Sequence, residues 1–178
     1  RNSTISDYTS ETLKLLSQRD IGYTIATGRT LHGARAVLEG HPFTLPQAYK
    51  NGVMIWHPQE RQYSSSTTLT AGELENVVHA CIRHGVTPFV FTLAADHSNT
   101  VYHPALRTEA DRELVRVLGL DGNVTMRALE DLPADAVVTH VNSIGAPAAI
   151  EQVVRAVDDE DHLVAYSGLA REGADWYW

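Results

Sequence analysis

The stretch Ile21-Gly22-Tyr23-Thr24-Ile25-Ala26-Thr27-Gly28-Arg29 decides how the first part of this chain is interpreted. Residues 21–26 are short, apolar and β-branched without alternation, which predicts a strand buried on both faces of a parallel sheet. A helix is expected after Arg29, running to about Glu39 and ended by Gly40. A buried strand that leads through a tight loop into a helix is typical of an α/β fold.

Thr27-Gly28-Arg29 lies where a strand meets a helix, a place at which α/β sheets bind anions. Thr27 offers a hydroxyl donor, Gly28 allows close backbone approach, and Arg29 adds a positively charged fork. The structural alternative is that Thr27 only caps the helix and that Arg29 is solvated. The tripeptide by itself favours this alternative.

The rest of the first 66 residues predicts a small α/β segment. Its elements are a helix capped by Ser6 or Asp7, strands over 47–50 and 53–56, and a partner strand from Tyr63. Asn51-Gly52 between the two strands indicates a hairpin. The Ser/Thr run over 64–68 is expected to be a hinge or linker. A parallel sheet of only two buried strands, with two helices, cannot cover its own faces, so we expect 1–66 to be part of a larger core.

Residues 67–178 predict a separate α+β unit with helices on one face of a sheet. Thr70-Ala71-Gly72-Glu73 is a capping box, and the helix it begins should end at Gly85. The remaining predicted elements are strands near 86–93 and 100–103, a helix from Thr108 to Gly119, strands near 124–126 and 137–142, a helix from Pro147, and strands near 162–167 and 175–178.

Charge and composition exclude several classes of function. The 178 residues carry 14 basic and 22 acidic side chains, a net charge of −8, which disfavours nucleic-acid binding but leaves room for one small phosphorylated ligand. No run approaches the ~20 apolar residues of a membrane span. The single cysteine, Cys81, lies on an apolar helix stripe, which fits a core residue in a reducing cytoplasm better than a nucleophile. The scattered histidines, including His79 and His84, predict no metal site.

These motifs together resemble a known superfamily. The pattern of Ile5-Ser6, a helix with Leu13 and Leu16, the stretch 21–29 and then Asn51-Gly52 is similar to the haloacid dehalogenase-like phosphatases, specifically the Cof-type branch. The resemblance implies an α/β fold, with a partial Rossmann-like core over 1–66 and an inserted α+β cap over 67–178. It also implies that Thr27 is a catalytic residue that binds the substrate phosphoryl group together with Gly28 and Arg29, and that Asn51 and Gly52 lie near the substrate.

Other motifs of that family are absent from the sequence. The Asp-x-Asp-Gly-Thr loop with the nucleophile is missing, and Leu120–Asn123 and Asp159–Asp161 only imitate it. Lys14 and Lys50 do not match the family's lysine position. We therefore expect an excerpt that is inert alone, from a parent enzyme that hydrolyses small phosphomonoesters such as sugar phosphates or a phosphorylated cofactor. Mg²⁺ is expected in that enzyme, with its ligands outside this chain.

Two alternatives stay open. The first is that the chain is a non-catalytic α+β module that binds a ligand or partner. The second concerns the loop 94–99, which carries Asp96, His97 and Asn99. Family caps use such loops to contact the leaving group, but a solvated hairpin tip accounts for this loop better.

Overall fold

A computed structural model describes residues 4–41, 43–66, 68–94, 98–119, 124–159, 162–165 and 167–169. The chain divides into two compact units, Arg1–Thr67 and Thr68–Trp178. The helices of the described residues are α1 (Asp7–Gln18), α2 (Leu31–Leu38), α3 (Ala71–Arg83), α4 (Glu109–Gly119) and α5 (Pro147–Val157). The strands are β1 (Gln47–Tyr49), β2 (Met54–His57), β3 (Gln62–Ser66), β4 (Phe89–Leu93), β5 (Asn99–His103), β6 (Val124–Ala128) and β7 (Val138–Asn142).

The first unit contains α1, α2 and an antiparallel sheet in the order β1-β2-β3. The predicted strand over 21–26 is wrong as a regular strand, because only Ala26 forms a bridge, parallel to Ala48 of β1. The prediction that it is buried on both faces is also wrong, since Ile21 is 49% exposed. The reason is that β1 is the only described strand that bonds to this segment, so no strand covers its other edge.

Caps and turns fix the ends of these elements. Ser6 caps α1 by accepting a hydrogen bond from the N–H of Thr9, as its position before the helix predicts. The hairpin between β1 and β2 forms around Asn51-Gly52, as predicted. The linker predicted over 64–68 is wrong for Ser64–Ser66, because these residues belong to β3, in which Ser65 and Ser66 pair with β2.

The second unit contains a mixed sheet in the order β6-β5-β4-β7, in which only β5 and β6 are parallel. The capping box of α3 is present with both of its hydrogen bonds, and Pro147 occupies the first turn of α5 as predicted. The strand predicted over 162–167 is wrong for its described residues. Leu163 instead packs on the cluster between α3 and α5, and Val164 is 74% exposed. The strand predicted over 175–178 lies outside the described residues.

Hydrophobic side chains are buried on both faces of β4. Val90 packs with Leu74 and Val78 of α3, whereas Phe89 and Phe91 pack with residues of α4. Successive side chains of a strand point to opposite faces. The helices therefore cover both faces of this strand, and the prediction of helices on one face is wrong. The physical reason is that β4 is an internal strand whose two rows of side chains are both apolar, so each row needs cover.

Candidate functional site

The segment Thr27-Gly28-Arg29 connects the bridge at Ala26 to α2. Thr30, not Thr27, caps α2, because the hydroxyl oxygen of Thr30 accepts a hydrogen bond from the N–H of Gly33 at 2.8 Å. The structural alternative that made Thr27 the cap is thus wrong. The hydroxyl oxygen of Thr27 accepts a hydrogen bond from the N–H of Arg29 at 3.2 Å. This bond closes a local turn, which we call the Thr27 loop (residues 27–29).

The Thr27 loop is joined by backbone hydrogen bonds to the turn that follows β1. The N–H of Asn51 donates to the carbonyl of Thr27 at 3.0 Å, and the N–H of Lys50 donates to the carbonyl of Arg29 at 3.1 Å. The N–H of Thr27 in turn donates to the carbonyl of Ala48 at 2.9 Å. The structure therefore brings together the two groups of residues that the sequence singled out, 27–29 and 51–52.

Several hydrogen-bond donors of this site have no acceptor in the described parts of the chain. They are the hydroxyl hydrogen of Thr27, the backbone N–H of Gly28 and the side-chain NH₂ of Asn51. Gly28 and Asn51 are exposed and Thr27 is half-buried. Donors that are grouped in this way and exposed to solvent are the elements of an anion-binding site. The arrangement can bind a phosphate or a similar oxyanion.

Arg29 contributes the positive charge of this site. Its guanidinium donates to the carbonyl of Gly33 in the first turn of α2 at 3.2 Å, and the residue is exposed. This contact uses one of the five N–H donors of the guanidinium. The guanidinium therefore places a positive charge beside Thr27 and Gly28, although the chain as a whole carries a net charge of −8.

The sequence points to Asn51 through its Asn-Gly pair, but it does not indicate that the Asn51 side chain lies beside Gly28. A Cβ atom on Gly28 would lie 2.9 Å from Oδ1 of Asn51 and 3.6 Å from its Cγ. The amide of Asn51 thus lies in the space that a side chain at position 28 would need. The sequence carries no signal for this contact, because the residues are 23 positions apart.

Of the remaining candidates, Lys50 bonds to the Thr27 loop through its backbone N–H, and the others that the structure describes do not join this site. Of the loop 94–99, Asn99 is a buried residue of β5, while Asp96 and His97 lie outside the described residues. The segment Leu120–Asn123 and most of Asp159–Asp161 also lie outside them. Lys14 is exposed on α1 and forms an ion pair with Glu11 at 2.8 Å.

Cys81 is part of the hydrophobic core. Cys81 is 1% exposed and contacts the hydroxyl of Ser143 at 3.4 Å, and burial raises the pKa of its thiol. A buried thiol with a raised pKa is a core residue and not a nucleophile. The described residues contain no group of three or more His, Cys, Asp or Glu side chains that could hold a metal ion.

Two open grooves lie elsewhere on the chain. One, of about 260 Å³, is lined by α1 residues together with Tyr23 and His41. The other, of about 400 Å³, lies beside His103 and Glu130 in the second unit. Neither groove is lined by residues of the Thr27 loop. None of the described helices is long and apolar enough to cross a bilayer.

Comparison with known proteins identifies the family. A sequence model described as haloacid dehalogenase-like hydrolase matches residues 1–165. The chain belongs to the haloacid dehalogenase-like hydrolases. The resemblance inferred from the sequence and the predicted α/β class are thereby confirmed. No curated protein matches this hydrolase chain.

Solved structures share the fold of this hydrolase chain at low sequence identity. A haloacid dehalogenase-like hydrolase from Bacteroides thetaiotaomicron superposes with a TM-score of 0.64 at 13% identity, covering 97% of this chain and 63% of its own. A haloacid dehalogenase-like hydrolase from B. subtilis gives 0.66 at 14% identity, covering 99% and 67%. A HAD subclass IIB sugar phosphatase gives 0.63 at 14% identity, covering 98% and 62%. The chain thus spans about two thirds of their length.

Proposed function

We propose that this chain supplies the phosphate-binding loop of a Cof-type phosphatase that hydrolyses small phosphomonoesters, such as sugar phosphates or a phosphorylated cofactor. The observation that carries the proposal is the Thr27 loop, whose unpaired donors and adjacent guanidinium match the oxygens and the charge of a phosphoryl group. Membership of the hydrolase family supports it. A sugar phosphatase among the structures of the same fold supports the substrate class.

Each residue of the site has a proposed role. Thr27 donates its hydroxyl hydrogen to a phosphoryl oxygen, and the N–H of Gly28 donates to the same group. Arg29 offsets its negative charge. Asn51 and Gly52 lie close to the bound substrate, because Asn51 is hydrogen-bonded to the carbonyl of Thr27.

The covalent chemistry is proposed to need groups outside this chain. A carboxylate attacks phosphorus, the bond to the leaving-group oxygen breaks, and water then hydrolyses the aspartyl-phosphate. We propose that the nucleophilic aspartate is absent from this chain, which would make the chain by itself inactive. Mg²⁺ would neutralise phosphoryl oxygens in such a reaction. The described residues do not fit an Mg²⁺ site by themselves, so its ligands are proposed to come from elsewhere.

The two units have proposed roles in the same enzyme. Residues 1–66 would form part of the core, and 67–178 would form the cap that excludes water and sets specificity. The partner would be a small phosphorylated substrate and not a nucleic acid, in keeping with the net charge of −8. One buried, unpaired cysteine supports a cytoplasmic location.

Phosphate release from an aryl phosphate tests the proposal. The parent protein, supplied with Mg²⁺ and 4-nitrophenyl phosphate, is expected to release phosphate, and the 178-residue chain alone is not. Thr27→Ala in the parent should lower kcat/KM by about 10²-fold, the effect of losing one transition-state donor. Thr12→Ala is the matched control, because the Thr12 hydroxyl bonds only within α1. A folded parent that hydrolyses none of a broad panel of phosphate esters would refute the proposal.

A further inference from the structure

The turn after β1 has a backbone conformation that few residues adopt. Lys50, Asn51 and Gly52 have φ values of 50°, 56° and 96°, all in the left-handed region. Glycine and asparagine enter this region most readily, and other L-residues do so at a cost. The left-handed turn presents two successive N–H groups, those of Lys50 and Asn51, to the carbonyls of the Thr27 loop.

Gly28 supplies space in this site and not conformational freedom. The glycines with positive φ in the described residues are Gly40, Gly52 and Gly85, so the backbone at Gly28 is one that other residues also adopt. What a side chain at position 28 meets is Oδ1 of Asn51, at 2.9 Å from the Cβ position. That distance is shorter than van der Waals contact, so the Asn51 amide, the end of an exposed side chain, would have to rotate away from its place beside the Thr27 loop.

We propose that Asn51 is a positioning residue for the Thr27 loop, and that residue 28 is glycine because the Asn51 amide occupies its side-chain space. The backbone N–H of Asn51 holds the carbonyl of Thr27, and its side chain packs on Gly28. Asn51 therefore fixes the two residues whose O–H and N–H groups would bind phosphate. The inference rests on the proposed function for its ligand, but the packing can be tested without that ligand.

A double-mutant cycle separates this role from a merely structural one. The variants are Gly28→Ala, Asn51→Gly and the double variant. Asn51→Gly keeps the left-handed φ and the backbone N–H but removes the amide, which makes room for a methyl group at position 28. The probe is inorganic phosphate, titrated against the backbone amide NMR signals of residues 27–29 in the 178-residue chain.

The expected result is a strong coupling between the two positions. Gly28→Ala should raise the Kd for phosphate about tenfold, and the double variant should lie within about threefold of Asn51→Gly alone. Gly72→Ala is the control for an added methyl group, because no atom lies within 4 Å of its Cβ position. Arg61→Gly is the control for a glycine at a left-handed residue, since Arg61 has φ 53°. Both controls should leave the Kd unchanged.

Two results would overturn the inference. One is a Gly28→Ala effect of the same size with and without the Asn51 side chain. The other is a hydrogen-exchange result on the Asn51→Gly variant alone, which keeps the inference testable if Gly28→Ala does not fold. Losing the amide should speed hydrogen exchange of the N–H groups of residues 50 and 51 at least about fivefold, and unchanged rates would contradict the positioning role. A wild-type loop that does not respond to phosphate would instead refute the proposed function, while the exchange rates still test the packing.

Discussion

Replacing Asp111 is expected to destabilise the second unit more than any change at its surface. Asp111 is 0% exposed, and its Oδ2 accepts three hydrogen bonds. The donors are the hydroxyl of Thr87 at 2.9 Å and the N–H groups of Arg107 and Thr108, each at 2.8 Å. The N–H of Asp111 donates to the hydroxyl of Thr108 at 3.1 Å. The carboxylate thus caps α4 and ties it to Thr87, just before β4.

The size of the loss follows from these contacts. Asp111→Ala removes the acceptor of three donors in a buried or half-buried place, and since each unsatisfied buried donor costs about 1–3 kcal/mol, we expect a loss of about 3–5 kcal/mol of unfolding free energy. Asp111→Asn keeps one oxygen but places an NH₂ group where Oδ1 has no partner among the described residues. We expect it to cost about 2 kcal/mol, the penalty of one unsatisfied buried donor.

Urea unfolding, followed by the amide NMR signals of β4 and α4, measures this effect in the second unit alone. Glu73→Ala is the matched control, because Glu73 occupies the same position in the capping box of α3 but in an exposed turn where water replaces its bonds. The expected order of stability is wild type, then Asp111→Asn, then Asp111→Ala, with Glu73→Ala losing clearly less than Asp111→Ala. An Asp111→Ala variant within about 1 kcal/mol of wild type would refute the reasoning, since it would mean that the three donors find other acceptors.

Three further predictions concern titration and reactivity. Hydrogen bonds from the backbone N–H and then from the hydroxyl of Thr70 lower the pKa of Glu73. The stability that the Glu73 carboxylate gives to the first turn of α3 is therefore present above its ordinary pKa and is lost as pH falls through the lowered value. Hydrogen exchange of α3 at acid pH should show this loss in wild type and not in Glu73→Gln. Burial, and then the charge of Tyr49, raise the pKa of Tyr63 to about 12. The stability from its neutral phenol is therefore present below pH 10 and is lost toward pH 12. An ultraviolet titration in which every tyrosine ionises near 10 would contradict this. Since Cys81 is buried and its thiol pKa is raised, a thiol reagent should label it only after unfolding in urea, and fast labelling of the folded chain would show the packing to be wrong.

Local patterns predicted most helices and the hairpin correctly because short-range contacts determine them. Ser6 and the Thr70/Glu73 box cap their helices through residues three positions away. The capping box at Thr108 and Asp111 belongs to the same class, yet the sequence could not show that Thr87 also binds this carboxylate. That contact spans 24 residues and depends on where α4 packs.

The failed predictions share a cause. An apolar run over 21–26 predicts a strand, but a strand also needs neighbours, and among the described residues only Ala26 bridges to Ala48. The Ser/Thr run before Thr67 is polar and predicts a linker, yet β2 pairs with Ser65 and Ser66 through backbone bonds that do not depend on side-chain type. In both cases the partner strand decided the outcome.

For the candidate site, the sequence by itself determined which residues matter: the donors and charge of Thr27-Gly28-Arg29, and an Asn-Gly pair suited to a left-handed turn. These are chemical properties of residues and of dipeptides, so they can be read without coordinates. Only the tertiary structure decided that Thr30 and not Thr27 caps α2, that residues 27–29 bond to residues 50–51, and that the Asn51 amide fills the space beside Gly28. Those outcomes depend on the pairing of Ala26 with β1, which brings the two segments together, and the energy of such a long-range pairing is not encoded in either segment alone.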